Sequence, residues 1–110
     1  MFGGLLLIPA GEASAQRAFK KGEKLYEKGY YHEAKPYLEK TITKDSIAMA
    51  AIFLAEGQRR LRNYSDAEYW YRLLDDRGLL RAQDMYNYGL VLKNVGKYGE
   101  AKSMFEKFTQ

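Results

Sequence analysis

The chain has 110 residues, 46% of them apolar, and a formal charge of +4 from 18 basic and 14 acidic side chains. That length and apolar content fit one folded domain and exclude an intrinsically disordered chain. The absence of cysteine excludes disulfides, thiol catalysis and thiolate metal sites, and the scattered basic residues do not form a dedicated nucleic-acid patch.

The first fifteen residues stand apart. An apolar run, Leu5-Leu6-Leu7-Ile8, is followed by Pro9 and then by a polar stretch ending Ala13-Ser14-Ala15. Small residues at the last and third-last positions are what signal peptidase accepts, so residues 1–15 read as the back half of a secretory signal cleaved after Ala15. No Lys or Arg precedes the apolar run, so the alternative is a tail or an extra helical turn packing on the first hairpin. The run is too short to span a bilayer, and no membrane span is expected in the mature chain.

Residues 16–110 repeat. An aromatic, two further residues and an alanine recur as Tyr31-His32-Glu33-Ala34, Tyr64-Ser65-Asp66-Ala67 and Tyr98-Gly99-Glu100-Ala101, with the alanines 33 and 34 residues apart. A small residue stands 12 positions before each alanine: Gly22, Ala55 and Gly89. Each unit, at about 15–47, 48–81 and 82–110, therefore reads as two helices that cross closely at the small residues. Helices are predicted over 16–28, 31–43, 46–60, 64–76, 81–94 and 98–108. Between the helices of each pair lies a short turn at Gly29-Tyr30, Arg62-Asn63 or Gly96-Lys97, where Gly and Asn tolerate the left-handed backbone that ends a helix. Apolar residues at helical spacing nominate a core of Leu25, Tyr37, Leu38, Leu54, Leu61, Tyr71, Leu74, Leu92, Phe105 and Phe108. Glu33, Asp66 and Glu100 fall in first turns, where the helix dipole favours them.

This spacing, with these residues, resembles the tetratricopeptide repeat over about 95 residues. The resemblance implies an all-α fold, an α-solenoid of three TPR helical hairpins wound into a right-handed superhelix. Departures from the family pattern are Ala18, Ala51 and Met85 in place of an early large aromatic, Ser46 and Leu79 in place of a closing proline, and Gln58 in an apolar position. The first helices of such arrays line a concave groove that holds a partner protein or peptide. Transferred here, the groove positions are Phe19, Glu23, Tyr26, Met49, Ile52, Glu56, Arg59, Tyr86, Leu90 and Lys93. Tyr26, Arg59 and Tyr86 are the expected anchors, since Tyr and Arg bury large area while keeping a polar end satisfied. Apolar members of the set, such as Phe19, Ile52 and Leu90, have the alternative of packing on neighbouring repeats. Relatives that clamp a terminal carboxylate use Lys, Asn and Arg at positions occupied here by Phe19, Glu23, Phe53, Gln83 and Asn87, so that clamp is not expected.

Catalytic chemistry finds no footing. The one histidine, His32, adjoins Glu33 at a hairpin turn, and the carboxylate pairs Glu23/Glu27 and Asp75/Asp76 read as solvated helix faces. No catalytic residue, metal site or cofactor is assigned. Trp70, between Tyr69 and Tyr71, reads as a repeat-junction or surface residue rather than a sugar platform.

A solenoid end needs a polar cap. The chain stops at Gln110, which nominates Met85, Tyr88, Leu92, Phe105 and Phe108 as an uncovered face for a following domain or for a second copy. Two stretches resemble more narrowly the N-terminal repeat module of Bacteroidetes-type OmpA-like envelope proteins. One is Leu54-Ala55-Glu56 with Arg59 and Asn63-Tyr64-Ser65-Asp66-Ala67-Glu68-Tyr69-Trp70-Tyr71. The other is Tyr88-Gly89-Leu90-Val91-Leu92-Lys93-Asn94-Val95-Gly96-Lys97-Tyr98-Gly99-Glu100-Ala101-Lys102. In that family the repeats precede a β-propeller and a peptidoglycan-binding domain, and some members serve type IX secretion. The resemblance implies an exported, periplasmic or cell-envelope adaptor that binds a protein rather than an enzyme. The alternative is a structural spacer or homodimerisation element.

Overall fold

The computed structural model describes residues 10–43 and 47–110, and they form six α-helices: α1 (Ala10–Glu27), α2 (Tyr31–Glu39), α3 (Ala48–Arg60), α4 (Tyr64–Asp76), α5 (Ala82–Asn94) and α6 (Tyr98–Phe108). The apolar run at Leu5-Leu6-Leu7-Ile8 lies outside the described residues. Helices pair as α1/α2, α3/α4 and α5/α6, and successive pairs join through α2 against α3 and α4 against α5. The first helices also touch one another, α1 with α3 and α3 with α5, whereas α2, α4 and α6 do not. A row of helices in contact on one side, with the other row splayed, is the geometry of an array that curves around its first helices. The fold is an all-α array of three helical hairpins.

Each hairpin closes with the same hydrogen bonds. Gly29, Arg62 and Gly96 take positive φ of 84°, 64° and 84°. The next amide reaches back five residues: Tyr30 N–H to the Leu25 carbonyl, Asn63 N–H to Gln58 and Lys97 N–H to Leu92, all at 2.8 Å. This left-handed closure satisfies carbonyls that a helix end would otherwise strand. It also turns the chain so that Tyr30, Asn63 and Lys97 cap the second helices, accepting from Ala34, Ala67 and Ala101. In the second hairpin Arg62 takes the left-handed conformation, with Asn63 following in a negative-φ one. A side chain there is strained by about 1 kcal/mol. Arg62→Gly is therefore expected to raise the melting temperature by a few degrees, at roughly 4–8 °C per kcal/mol for a small domain; thermal unfolding followed by circular dichroism checks it. Unchanged or lowered stability would mean that the Arg62 side chain makes up for its backbone.

The close crossings are where the small residues predicted them. Gly22, Ala55, Gly89, Ala34, Ala67 and Ala101 are all buried. A Cβ on Gly22 would lie 2.8 Å from the Leu38 side chain, and one on Gly89 would run into the Phe105 ring. The close partner is thus the residue one turn beyond the repeat alanine, and in the second hairpin that position is Tyr71.

Three boundaries differ from expectation by two residues or more, and the end of α1 and the start of α5 by one. α1 begins at Ala10 rather than 16, because Ala10, Glu12, Ala13 and Ala15 favour a helix and Glu12 suits its first turn. Residues 10–15 are therefore helical turns of α1. α2 stops at Glu39 rather than 43: the Thr41 N–H and hydroxyl both donate to the Leu38 carbonyl, at 3.0 and 2.7 Å, and tighten the chain out of the helix. α3 begins at Ala48 rather than 46, with Ile47 at its N-cap.

Of the expected core, Leu38, Leu54, Tyr71, Leu74 and Leu92 are buried, and Leu25, Tyr37 and Phe105 are half-buried. Leu61 and Phe108 are corrections, each 38% exposed, because Leu61 caps the end of α3 and Phe108 is the last residue of α6. Trp70 is buried within the core rather than at the surface. Gln58, polar where an apolar residue was expected, is buried with its amide oxygen accepting from Asn63 Nδ2 at 3.0 Å.

Candidate functional site: the inner depression

The inner surface formed by α1, α3 and α5 carries a depression of about 260 Å³. Its apolar wall is built from Tyr26, Ile52 and Phe53, and its polar wall from Glu56, Arg59, Arg60, Arg81, Gln83, Asp84 and Asn87. The apolar wall belongs to a strip of rings that ties the first hairpin to α3. Phe53 stacks on Tyr26 with centroids 4.4 Å apart and on Phe19 at 5.9 Å, and Tyr26 meets the edge of Tyr31 at 5.4 Å. Helical spacing produces the strip, since Phe19 and Tyr26 stand two turns apart on α1.

Glu56 organises the polar wall. Its side chain is 12% exposed, and it accepts from the Arg59 guanidinium through both Nε and Nη2, from Arg60 Nε at 2.8 Å, from the Tyr71 hydroxyl at 3.2 Å and from Asn87 Nδ2 at 3.1 Å. Donors from α3, α4 and α5 thus meet on one carboxylate. Burial alone would raise the Glu56 pKa, but the hydrogen bonds and charges of Arg59 and Arg60 hold it below the ordinary carboxylate value. Burial, with the Glu56 charge beside it, pushes the Tyr71 phenol far above its usual range, so it stays a donor. Asp84, at the third position of α5, accepts from the Arg81 N–H at 3.0 Å and from its Nε and Nη2 at 2.8 and 3.0 Å. That capping contact holds Arg81 at the mouth of the depression.

The ten sequence-predicted groove residues divide. Tyr26, Ile52, Glu56 and Arg59 line the depression. Phe19 stacks on the wall residue Phe53 without lining the depression, Glu23 is half-buried on α1, and Met49 is exposed at the start of α3. Tyr86, Leu90 and Lys93 are not part of it. Tyr86 leans on Phe105 and Phe108, at 5.8 and 5.3 Å between centroids, and Lys93 lines a second, more open depression of about 410 Å³ with Tyr98 and Phe105. The third helix pair delivers Arg81, Gln83, Asp84 and Asn87 instead, from the face of α5 turned toward α3. Gln83 and Asn87 stand at compared clamp positions, but Asn87 is spent on Glu56 and Gln83 donates to Asn87 Oδ1 at 3.3 Å. Arg60 and Arg81 escaped sequence reasoning because their place depends on a helix end and an N-cap. The acidic residue three positions after Arg81 was the one available signal.

The expected uncovered face also needs correction. Tyr88 and Leu92 are 2% and 1% exposed, because they point back into the array, where Tyr88 stacks on Tyr71 of α4 at 5.5 Å. Met85 and Phe105 are half-buried. The apolar patch on this hairpin consists of Tyr86, Tyr98, Phe108 and the edge of Phe105.

Comparison with protein-family models, with curated proteins and with solved structures finds no match to this chain. The depression's chemistry must therefore be read from its own residues. It offers hydrogen-bond donors beside an aromatic wall, a surface suited to holding a ligand. Among the described residues no group of three or more His, Cys, Asp or Glu side chains could hold a metal ion, and no helix is long and apolar enough to cross a membrane.

Proposed function

We propose that this chain is a tetratricopeptide-type interaction module that binds a segment of a partner protein along the inner surface of α1, α3 and α5. The observation that carries this reading is the half-buried aromatic strip lying open beside exposed guanidinium groups. Tyr and Arg are the side chains that most often anchor interfaces, since each removes a large area from water while keeping its polar atoms paired. The 33- and 34-residue spacing and the shared hairpin closure support the repeat assignment. The resemblance to envelope proteins and the signal-like residues 1–15 make the periplasm or cell envelope the proposed compartment, with a secretion or peptidoglycan-linked complex as the setting.

Affinity capture from a cell-envelope extract tests the reading, with wild-type chain as bait and Tyr26→Ala/Arg60→Glu as control. A protein held by wild type and lost at least tenfold with the variant is expected. Equal capture by both would remove the inner surface from the function.

A second reading rests on the patch of Tyr86, Tyr98 and Phe108, at 40%, 68% and 38% exposure. Paired between two copies, it would make the array a dimerisation element. Sedimentation of wild type and Phe108→Glu over a hundredfold concentration range decides between them.

A further inference from the structure

We infer that the inner depression accepts the side-chain carboxylate of an acidic residue, flanked by apolar residues, in an extended segment of the partner; this rests on the groove-binding reading above. Three guanidiniums, Arg59, Arg60 and Arg81, line the depression against two carboxylates, Glu56 and Asp84. One positive charge is left without a counter-charge. The hydrogen bonds point the same way. Glu56 already accepts from Arg59, Arg60, Tyr71 and Asn87, and both Asp84 oxygens accept from Arg81. Both carboxylates are engaged, whereas Arg60 spends Nε alone and its side chain is 53% exposed. Arg81, 59% exposed, spends Nε and Nη2. A ligand entering the depression therefore meets N–H donors and a surplus of positive charge. A carboxylate gains charge-assisted hydrogen bonds there, an amide gains weaker ones, and an ammonium group is repelled.

The neighbouring wall sets the rest of the ligand. The stacked Tyr26 and Phe53 rings and the buried Ile52 adjoin the guanidiniums, so residues beside the acid are apolar or aromatic. The volume, about 260 Å³, is below the roughly 300 Å³ at which pockets begin to enclose whole drug-sized ligands, and it suits one or two side chains of a peptide. Nucleic acid fits poorly, since it rewards many phosphate contacts and one surplus charge supplies few.

The test uses C-amidated octapeptides with Asp, Asn or Lys at a central position between Leu and Phe, so that no terminal carboxylate is present. Binding is read by fluorescence anisotropy at 50 mM NaCl on the full chain. Asp peptides are expected to bind about tenfold tighter than their Asn counterparts, the size of one charge-assisted hydrogen bond, and Lys peptides not at all. Arg60→Gln should abolish the Asp preference and Arg60→Lys restore part of it, with unchanged helical circular dichroism showing that both variants fold. Equal binding of Asp and Asn peptides would overturn the acidic preference and leave the groove reading standing. No binding by any peptide would overturn both. A twelve-nucleotide single strand bound as tightly as the Asp peptides would overturn the inference in favour of nucleic acid.

Discussion

Glu56→Ala is expected to destabilise the chain by about 3 kcal/mol, the cost of breaking a largely buried charged network by removing one partner. The reason lies in how many groups depend on one side chain. Glu56 accepts from Arg59 and Arg60 on its own helix, from Tyr71 on α4 and from Asn87 on α5. Without it, a buried hydroxyl and a buried amide lose their acceptor, and Arg59 loses its counter-charge in a mostly covered position. At about 5 °C per kcal/mol for a domain of this size, the melting temperature should fall by roughly 15 °C. A drop of under 3 °C in calorimetry would show that water takes over the carboxylate's contacts.

The same carboxylate shapes the response to acid. Arg59 and Arg60 hold its folded pKa below the ordinary 4.5. Its contribution is therefore whole above about pH 4.5 and is lost as pH falls through the folded value. Glu56→Gln, which cannot ionise, should have a flatter acid limb than wild type in a series of unfolding curves from pH 6 to pH 3. Some slope remains, because Glu68 is also depressed: burial would raise it, but hydrogen bonds from Lys97 and Arg72 prevail. Parallel limbs in the two proteins would mean that Glu56 does not carry the acid sensitivity.

Tyr71→Ala should have the larger effect, about 4 kcal/mol, in the range for emptying a large aromatic site in a core. The ring is 1% exposed, stacks on Tyr88 of the next hairpin at 5.5 Å, and holds the place that Leu38 and Phe105 fill in the other hairpins. Its loss opens a cavity between the second and third hairpins and strips one donor from Glu56. Tyr71→Phe keeps the ring and should cost about 1 kcal/mol, the net worth of a hydrogen bond. Chemical denaturation of both variants separates packing from polarity. Equal losses would mean that the hydroxyl matters as much as the ring.

The array was legible because it is written in local terms. Aromatic-x-x-Ala at 33 and 34 residues, a small residue 12 positions earlier and a left-handed turn between them describe a hairpin that neighbouring residues alone can specify. Gly22 and Gly89 announced the close approach, although the group they face proved to be one turn beyond the repeat alanine. The weaker points were helix ends, at 10–15, 40–43 and 46–47, where one or two hydrogen bonds decide and propensity is nearly even. Period alone nominates Phe108 and Leu61 for the core, and it carries no information about where the helix stops.

The candidate site was half legible. The groove positions transferred from the repeat resemblance include Tyr26, Ile52, Glu56 and Arg59, and these four line one depression; periodicity by itself selects only a face of each helix. It could not say which part of α5 faces α3, because that depends on how one hairpin rotates against the next. The consequence is that Tyr86, Leu90 and Lys93 fall away from the depression and Arg81, Gln83, Asp84 and Asn87 enter it. Nor could period show that Tyr88 turns inward to stack on Tyr71 of α4.

Residue order alone thus specified the all-helical class, the three hairpins and the left-handed closures at Gly29 and Gly96, since each depends on side chains within about a dozen positions of one another, whereas in the second hairpin it pointed to Asn63 and the fold uses Arg62. The packing of the helices settled the role of Glu56, which reads as one acidic residue among fourteen until α4 and α5 bring Tyr71 and Asn87 to it. Packing also settled that Arg60 and Arg81, 21 residues apart, share the mouth of one depression. The physical reason is range: hydrogen bonds that shape a turn act between neighbours, whereas the charge balance of a groove depends on which helices lie side by side.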